Sequence, residues 1–407
     1  MSTDQVSSAK TASPNHPAQK AYDTTVLVLQ GGGALGAYQA GVYQAMAEEN
    51  LHPDWVAGIS IGALNAAIIA GNPPERRVEQ LDEFWRSICQ SAALPFLHDA
   101  SWHDTAAWAM FPRSGTSALA AWRALTEGQS GFFIPRIPSP LLRADGTPEN
   151  ISWYDTTPLH TTLERHADFD RFNSPHGMRV SIGAVNVRTG NFQYFDNRDT
   201  KLQPKHFMAS GALPPGFPAV EIDGEYYWDG GMVSNTPLYK ILSERPHRDA
   251  LIFQVDLWSA SGVLPHDMST VAERAKDIQY SSRTRMITDY MQEMRQQQCL
   301  IHEIMDLVSK TKRNDPAYRR AERYANGSLT NLIHLIYSNK PYERSYKDFE
   351  FSAATMDEHW KSGLADMRHT LGHPDWLAPP TRENPFVTHD VHRSSEQVAE
   401  HSDTARK

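Results

Sequence analysis

Asp54-Trp55-Val56-Ala57-Gly58-Ile59-Ser60-Ile61-Gly62-Ala63-Leu64-Asn65-Ala66-Ala67 decides how the rest of the chain is read. Its first part is a short apolar run ending at Gly58, and its last part is rich in Ala and Leu, which favour helix. Gly58-x-Ser60-x-Gly62 joins the two. A strand turning sharply into a helix puts the turn residue at a strained tip, and small neighbours let the two backbone arms pass. A serine at that tip projects its hydroxyl into open space, just ahead of a helix N-terminus. A serine nucleophile needs that geometry. The plainer alternative is a Gly-rich turn in which Ser60 only caps the helix.

Upstream, Thr24 to Gln30 is a β-branched-rich run that reads as a buried strand. Gly31-Gly32-Gly33-Ala34-Leu35-Gly36 follows, and then Ala37 to Glu49 reads as helix. Strand, loop, helix, strand, elbow and helix in that order predict a parallel sheet with crossover helices, an α/β fold. Gly31-x-Gly33-x-x-Gly36 admits two readings. One is a dinucleotide fingerprint, which also wants an acid at the end of the second strand. Here the acid, Asp54, stands at the start of that strand, and the far end carries Gly58-Ile59-Ser60. The other reading is an oxyanion hole, because successive glycines let backbone N–H groups converge with no side chains in the way.

Downstream, Glu75 to Ser87 reads as another helix. From about 88 to 157 the pattern breaks down. Trp85, at its approach, and Trp102, Trp108, Trp122 and Trp153 are interspersed with Pro95, Pro112, Pro135, Pro138 and Pro140. Such an insertion is either a lid beside the site or aromatic packing. Strands resume at Arg179 to Val187, turn at Thr189-Gly190 into Asn191 to Phe195, and recur on either side of Asp223-Gly224, a tight hairpin signal. Asp229-Gly230-Gly231 comes directly after that hairpin, and Ala250 to Leu257 is a further strand. Met268 to Ser309 holds no Gly or Pro and reads as helix with one break. Thr330 to Tyr337 reads as strand, and Ser352 as the N-cap of a final helix.

A serine hydroxyl needs a group to take its proton. Among 18 histidines, His334 follows Asp229 and Asp256 in the order of a Ser…Asp…His triad. It lies, however, inside the apolar run Leu332 to Ile336, where a satisfied core histidine is the commoner case. Asp229 is instead presented on a tight glycine turn. A carboxylate held near Ser60 in a poorly solvated cleft becomes more basic and can act as general base. The plain reading of Asp229-Gly230-Gly231 is an ordinary turn.

Composition sets the outer limits. The chain has 407 residues, 40% hydrophobic and 21% charged, with net charge -9. The acidic balance argues against nucleic acid as a partner. Two distant cysteines, Cys89 and Cys299, fit a reducing cytoplasm and give no zinc pattern. His302-Glu303-Ile304-Met305-Asp306 lacks the second histidine of a zinc-binding helix, so no metal is expected. Lys310, Lys312, Arg313, Arg319, Arg320 and Arg323 form a basic stretch. It reads as a solvated helix end, with peripheral contact with an anionic membrane surface as the alternative.

Gly31-Gly32-Gly33-x-x-Gly36, Gly58-x-Ser60-x-Gly62 and Asp229-Gly230-Gly231, in that order, resemble the patatin-like phospholipase family. Ala209-Ser210-Gly211-Ala212-Leu213-Pro214-Pro215-x-Phe217-Pro218 is similar to a further block of that family. The resemblance covers roughly Thr24 to Leu257. It implies a three-layer α/β/α fold with a mainly parallel sheet, and lipid acyl hydrolysis by a Ser–Asp dyad without cofactor. Ser60 is then the nucleophile, Asp229 the base, and Gly32, Gly33 and Ala34 the oxyanion donors. Leu35 departs from the Arg or Lys that the family usually carries there, which weakens the expectation of a phospholipid and leaves an uncharged ester open. The chain beyond Ser259 resembles a helical C-terminal extension found in some bacterial members.

The expected organisation is a disordered leader over 1–21, a catalytic domain over 22–258, a mainly helical extension over 259–377 and a tail over 378–407. The expected function is a cytoplasmic serine hydrolase of lipid-like esters. An acyltransferase and a non-catalytic acyl-chain binder are its rivals.

Overall fold

The computed structural model describes residues 16–89, 113–142, 146–282, 284–340 and 342–391. The expected leader up to residue 15, Trp102, Trp108, Pro95, Pro112 and the end of the expected tail lie outside the described residues.

After a short helix α1 (Pro17–Lys20), the chain runs β1 (Thr24–Leu29), α2 (Ala37–Glu48), β2 (Trp55–Gly58), α3 (Ile61–Gly71) and α4 (Arg77–Ile88). Helix α5 (Arg113–Glu127) and a small ribbon of β3 (Ile134–Pro135) and β4 (Tyr154–Asp155) follow. Then come α6 (Thr157–His166), α7 (Phe169–Asn173), β5 (Arg179–Asn186), β6 (Phe192–Asp196), α8 (Pro204–Ser210), β7 (Val220–Ile222), β8 (Glu225–Asp229), α9 (Leu238–Leu242) and β9 (Ala250–Asp256). The chain ends through α10 (Met268–Tyr280), α11 (Thr284–Asp306), α12 (Pro316–Glu322), β10 (Thr330–Ile336), α13 (Ala353–Leu371) and β11 (Phe386–Asp390).

The sheet order is β11-β10-β9-β1-β2-β5-β8-β7, with β6 also paired to β5. Pairing is parallel from β11 across to β5 and antiparallel around β6, β7 and β8. Strand alternation sorts the core into two layers. Leu27 and Leu29 of β1 face one cluster together with α2, α3 and α13 residues. Val26 and Val28 face the other, with Leu238, Ile241 and Met291 from α9 and α11. Both faces of the sheet are therefore covered by helices, which makes three layers.

The chain after Ser259 adds helices, and also strands β10 and β11 to the same sheet. Phe386–Asp390, inside the stretch expected as tail, pairs in parallel with β10 from Thr330↔Phe386 to His334↔Asp390. The Pro and polar residues from His373 onward hide a five-residue strand whose only apolar anchors are Phe386 and Val387. Such a strand gives no signal until a neighbour supplies its pairing. Helix α13 crosses α2 so closely that a Cβ on Gly41 would collide with the Trp360 carbonyl, and one on Gly363 with the Tyr38 carbonyl. The C-terminal part of the chain is thus packed directly behind the helix that follows the glycine loop.

Candidate active site

Ser60 stands at the tip between β2 and α3 with φ 55° and ψ -124°. A positive φ is uncommon for a residue bearing a Cβ and costs roughly 1–3 kcal/mol, which the surroundings must hold in place. The surroundings are tight. A Cβ on Gly58 would strike the Gly62 carbonyl, and one on Gly62 would strike the Leu29 carbonyl. Ser60 lies at the N-cap position but its side chain makes no capping bond. Its backbone N–H donates to Ser210 Oγ at 3.0 Å, and Ser210 Oγ donates in turn to the Gly183 carbonyl at 2.7 Å. The tip is thereby tied to β5, and the serine hydroxyl is left for something other than a helix cap.

Strand register brings the acid to the same level. Gly58 pairs with Ile182, and two residues further along β5 Ala184 pairs with Asp229 on antiparallel β8. Ser60 is likewise two residues beyond Gly58. The Ser60 side chain comes close enough to the Asp229 carboxylate to lower its pKa, and that carboxylate accepts from Gly231 N–H at 2.7 Å. Asp229 is 2% exposed. Burial pushes its carboxyl up to about 7, against the lowering effect of those two groups.

The glycine loop passes the serine. A Cβ on Gly31 would lie 3.1 Å from Ser60 Cβ. Among the described residues, none accepts a hydrogen bond from the backbone N–H of Gly32, Gly33 or Ala34. The same is true of Ile61, the residue after the serine. Buried N–H groups are almost always paired. Those of buried Gly32, Ala34 and Ile61 are left open here, and so is that of half-buried Gly33. Gly32, Gly33 and Ala34 are the donors expected from the sequence, and Ile61, directly after the elbow serine, adds a further open N–H.

Three further groups near the site come from parts of the chain whose motifs gave no warning. Asn235 Nδ2 and Trp258 Nε1 both donate to the Gly31 carbonyl, at 3.0 and 2.8 Å. Burial raises the pKa of the Tyr280 hydroxyl at the end of α10, and the charge of Asp229 raises it further. Leu35 is fully buried in the core, packed with α2 and α3 residues.

His334 is elsewhere. Its Nε2 lies 2.7 Å from Asp256 Oδ2 on the neighbouring strand, within a buried polar cluster. Asp54 accepts from Thr25 N–H at 2.8 Å and so ties the starts of β1 and β2 together. Cys89 and Cys299 are free thiols. The basic residues from Lys310 to Arg320 lie on an exposed turn and on α12. Among the described residues no three His, Cys, Asp or Glu side chains gather to hold a metal ion, and no helix is long and apolar enough to cross a membrane. A polar groove of about 920 Å³, with Arg76, Glu83, His160, Glu164 and Lys205 in its walls, includes none of the residues around Ser60.

Part of the described insertion packs, although Trp122 and Trp153 are exposed. Phe132, Phe133 and Tyr154 form edge and tilted contacts with Phe217, and Phe132 and Phe133 with Phe351, at centroid distances from 5.2 to 6.5 Å. The insertion is thus joined to the segment after Pro215 and to the C-terminal part. Ile137, Leu141 and Leu142 in the same region remain exposed.

Fold and geometry together define an α/β protein with a serine elbow and a buried acid on one sheet. The chain belongs to the patatin-like phospholipase family, whose model matches residues 27–241. A second family model, described as patatin phospholipase, matches residues 278–383. A patatin-like phospholipase domain-containing protein of Caenorhabditis elegans is 36% identical over 76 residues, 19% of this chain and 7% of that protein. A triacylglycerol lipase of Arabidopsis thaliana is 29% identical over 128 residues, 31% of this chain and 14% of that one. The aligned stretches are therefore a small part of either relative. Among solved structures, VipD from Legionella pneumophila aligns over 83% of this chain and 67% of its own, with 15% identity and a TM-score of 0.31.

Proposed function

We propose that the protein is a serine hydrolase of carboxylic esters with lipid-like acyl chains, working through a Ser60–Asp229 dyad. The observation that supports this reading is the Ser60 side chain placed close enough to the buried Asp229 carboxylate to lower its pKa, while burial pushes that carboxyl up to about 7. A base poised near neutrality both accepts a proton from the serine and returns it. Ser60 Oγ attacks the ester carbonyl as its proton passes to Asp229. The tetrahedral oxyanion takes hydrogen bonds from Gly32, Gly33 and Ala34, with Ile61 N–H adjoining them. Collapse expels the alcohol, which leaves with the proton from Asp229. Water, deprotonated by the same carboxylate, then attacks the acyl-serine, and the acid departs. Gly31, Gly36, Gly58, Gly62, Gly230 and Gly231 serve the backbone shape; no cofactor enters.

Buried Leu35 adds no charge at the loop, which favours an uncharged ester group over a phospholipid headgroup. Exposed Ile137, Leu141 and Leu142 suit peripheral contact of a cytoplasmic protein with a lipid surface. A panel of purified phospholipids, neutral glycerides and short soluble esters, assayed beside Ser60→Ala, tests the reading. Hydrolysis is expected to vanish in the variant and to favour neutral esters. Acyl transfer to added alcohols in place of hydrolysis would turn the assignment to an acyltransferase, and an unlabelled Ser60 after fluorophosphonate treatment would leave only a binder.

A further inference from the structure

Trp258 lies between the two stretches that the family models match, 27–241 and 278–383. It follows β9 at the same sheet edge as the glycine loop and is 2% exposed. Its indole Nε1–H donates to the Gly31 carbonyl at 2.8 Å, and Asn235 Nδ2 donates to that same oxygen at 3.0 Å. Gly31 N–H in turn donates to the Asn235 carbonyl at 3.2 Å. In a trans peptide the C=O and the next N–H point in opposite directions. Pinning the Gly31 carbonyl inward with two donors therefore fixes Gly32 N–H outward, and that N–H has no acceptor among the described residues. Hydrogen bonds accepted by an amide oxygen also polarise the amide, which strengthens its N–H as a donor.

Trp258 is itself held on several sides. Gln30 Oε1 accepts from Trp258 N–H at 3.0 Å and from Leu257 N–H at 2.5 Å. The Tyr280 ring lies against the indole at a centroid distance of 5.4 Å, and Lys347 Nζ stands 5.0 Å over it. The Tyr280 carbonyl accepts from Asn235 Nδ2 at 2.9 Å, so both anchors of the Gly31 carbonyl are braced by α10.

We propose that Trp258 and Asn235 are positioning residues that set the Gly31–Gly32 peptide so that Gly32 N–H meets the oxyanion, and that the C-terminal part of the chain completes the site through them. The inference rests on the esterase reading above. Neither residue touches the reacting atoms; both act through the peptide.

Trp258→Phe keeps an aromatic ring on Tyr280 and under Lys347 and removes the donor together with part of the ring volume, a packing loss that the split between kcat and KM separates from the loss of the donor. A donor left in place but loosely aimed costs less than a donor deleted, so kcat is expected to fall about 10-fold with KM unchanged. The affinity of a trifluoromethyl ketone, which mimics the tetrahedral species, should fall by the same factor, while binding of the product acid stays constant. Asn235→Asp, which turns a donor into a second acceptor against the Gly31 carbonyl, should move the same quantities further. The pH midpoint of kcat/KM should stay put in Trp258→Phe, since no charge changes there, and should rise in Asn235→Asp, whose new carboxylate stands near Asp229 on the far side of Gly231. Wild-type kcat and ketone affinity in Trp258→Phe, or a rise in KM with kcat unchanged, would overturn the proposal while Ser60→Ala remains inactive. Undiminished hydrolysis by Ser60→Ala would instead overturn the esterase reading and this inference with it, and it is seen in a protein whose Trp258 is intact. Should Asn235→Asp fail to fold, Trp258→Phe alone decides.

Discussion

Two buried aspartates end strands of the same sheet, with three strands between them, and they are built in opposite ways. Asp256, at the end of β9, is surrounded by partners: His334 Nε2 at 2.7 Å, Gln254 Nε2 at 2.9 Å, Thr236 Oγ1 at 3.3 Å and the hydroxyl of Ser282. Asp229, at the end of β8, has the Ser60 side chain and one glycine N–H. Acid, histidine and serine all occur in the first cluster, yet the serine bonds the acid instead of the histidine, and the acid is saturated. In the second cluster fewer groups do more. Burial raises the carboxyl to about 7, and the strained serine stands next to a glycine loop whose Gly32, Gly33 and Ala34 N–H groups have no acceptor among the described residues. A polar cluster that satisfies every member holds a fold together; one left incomplete has something to offer a substrate.

The contrast can be broken most directly at Ser60. Ser60→Ala should lower ester hydrolysis by at least about 10³-fold while leaving the circular dichroism spectrum and melting temperature close to wild type. Asp229→Asn should lower kcat by about 10²–10⁴-fold, the range of a lost general base. In the wild type kcat/KM should rise with pH through a midpoint near 7, because the base must be ionised, and a flat profile from pH 5 to 9 would contradict the assignment.

The same carboxylate makes a stability prediction of opposite sign to its activity. Its folded-state pKa is raised above the unfolded value, so the stability it contributes is present below pH 4 and is lost as pH rises through about 7. Asp229→Asn carries no such penalty. Its denaturation midpoint should exceed that of wild type at pH 8, by an upper bound of about 4 kcal/mol, and the difference should shrink toward pH 4. A variant that loses stability equally at both values would show that burial is not what raises the carboxyl.

His334→Asn addresses the other cluster. It should cost about 2–4 kcal/mol of stability, the range for breaking a buried hydrogen-bonded pair, and leave kcat within about 2-fold of wild type. A large loss of kcat in a protein that still melts cooperatively would restore the triad that the sequence order suggested. Smallest of all, Ser282→Ala should cost about 1 kcal/mol and leave turnover alone.

Much of the fold could be read along the chain because its signals are local. Short β-branched and apolar runs marked β1, β5 and β9, glycines marked the elbow and the loop, and Ser352 does cap α13 by accepting from Thr355 N–H at 3.3 Å. The polar strand β11 was read as tail, since its identity comes from pairing with β10. The insertion was open between lid and packing; Phe132 and Phe133 are buried against Phe217 and Phe351, contacts that no spacing reveals. Trp258 and Tyr280 carried no motif, and their bearing on the glycine loop exists only once β9 lies beside β1.

The sequence by itself determined the parallel α/β order, the serine at a turn too tight for side chains on either flank, and the glycine loop. These follow from steric demands that reach only a few residues along the backbone. Tertiary structure alone decided which acid meets that serine. The hydrogen-bond register from β2 through β5 to β8 sets Asp229 level with Ser60. The pairing of β9 with β10 gives His334 to Asp256 instead. Strand order and register are long-range choices, and the burial that raises one carboxylate comes from neighbours distant in the chain.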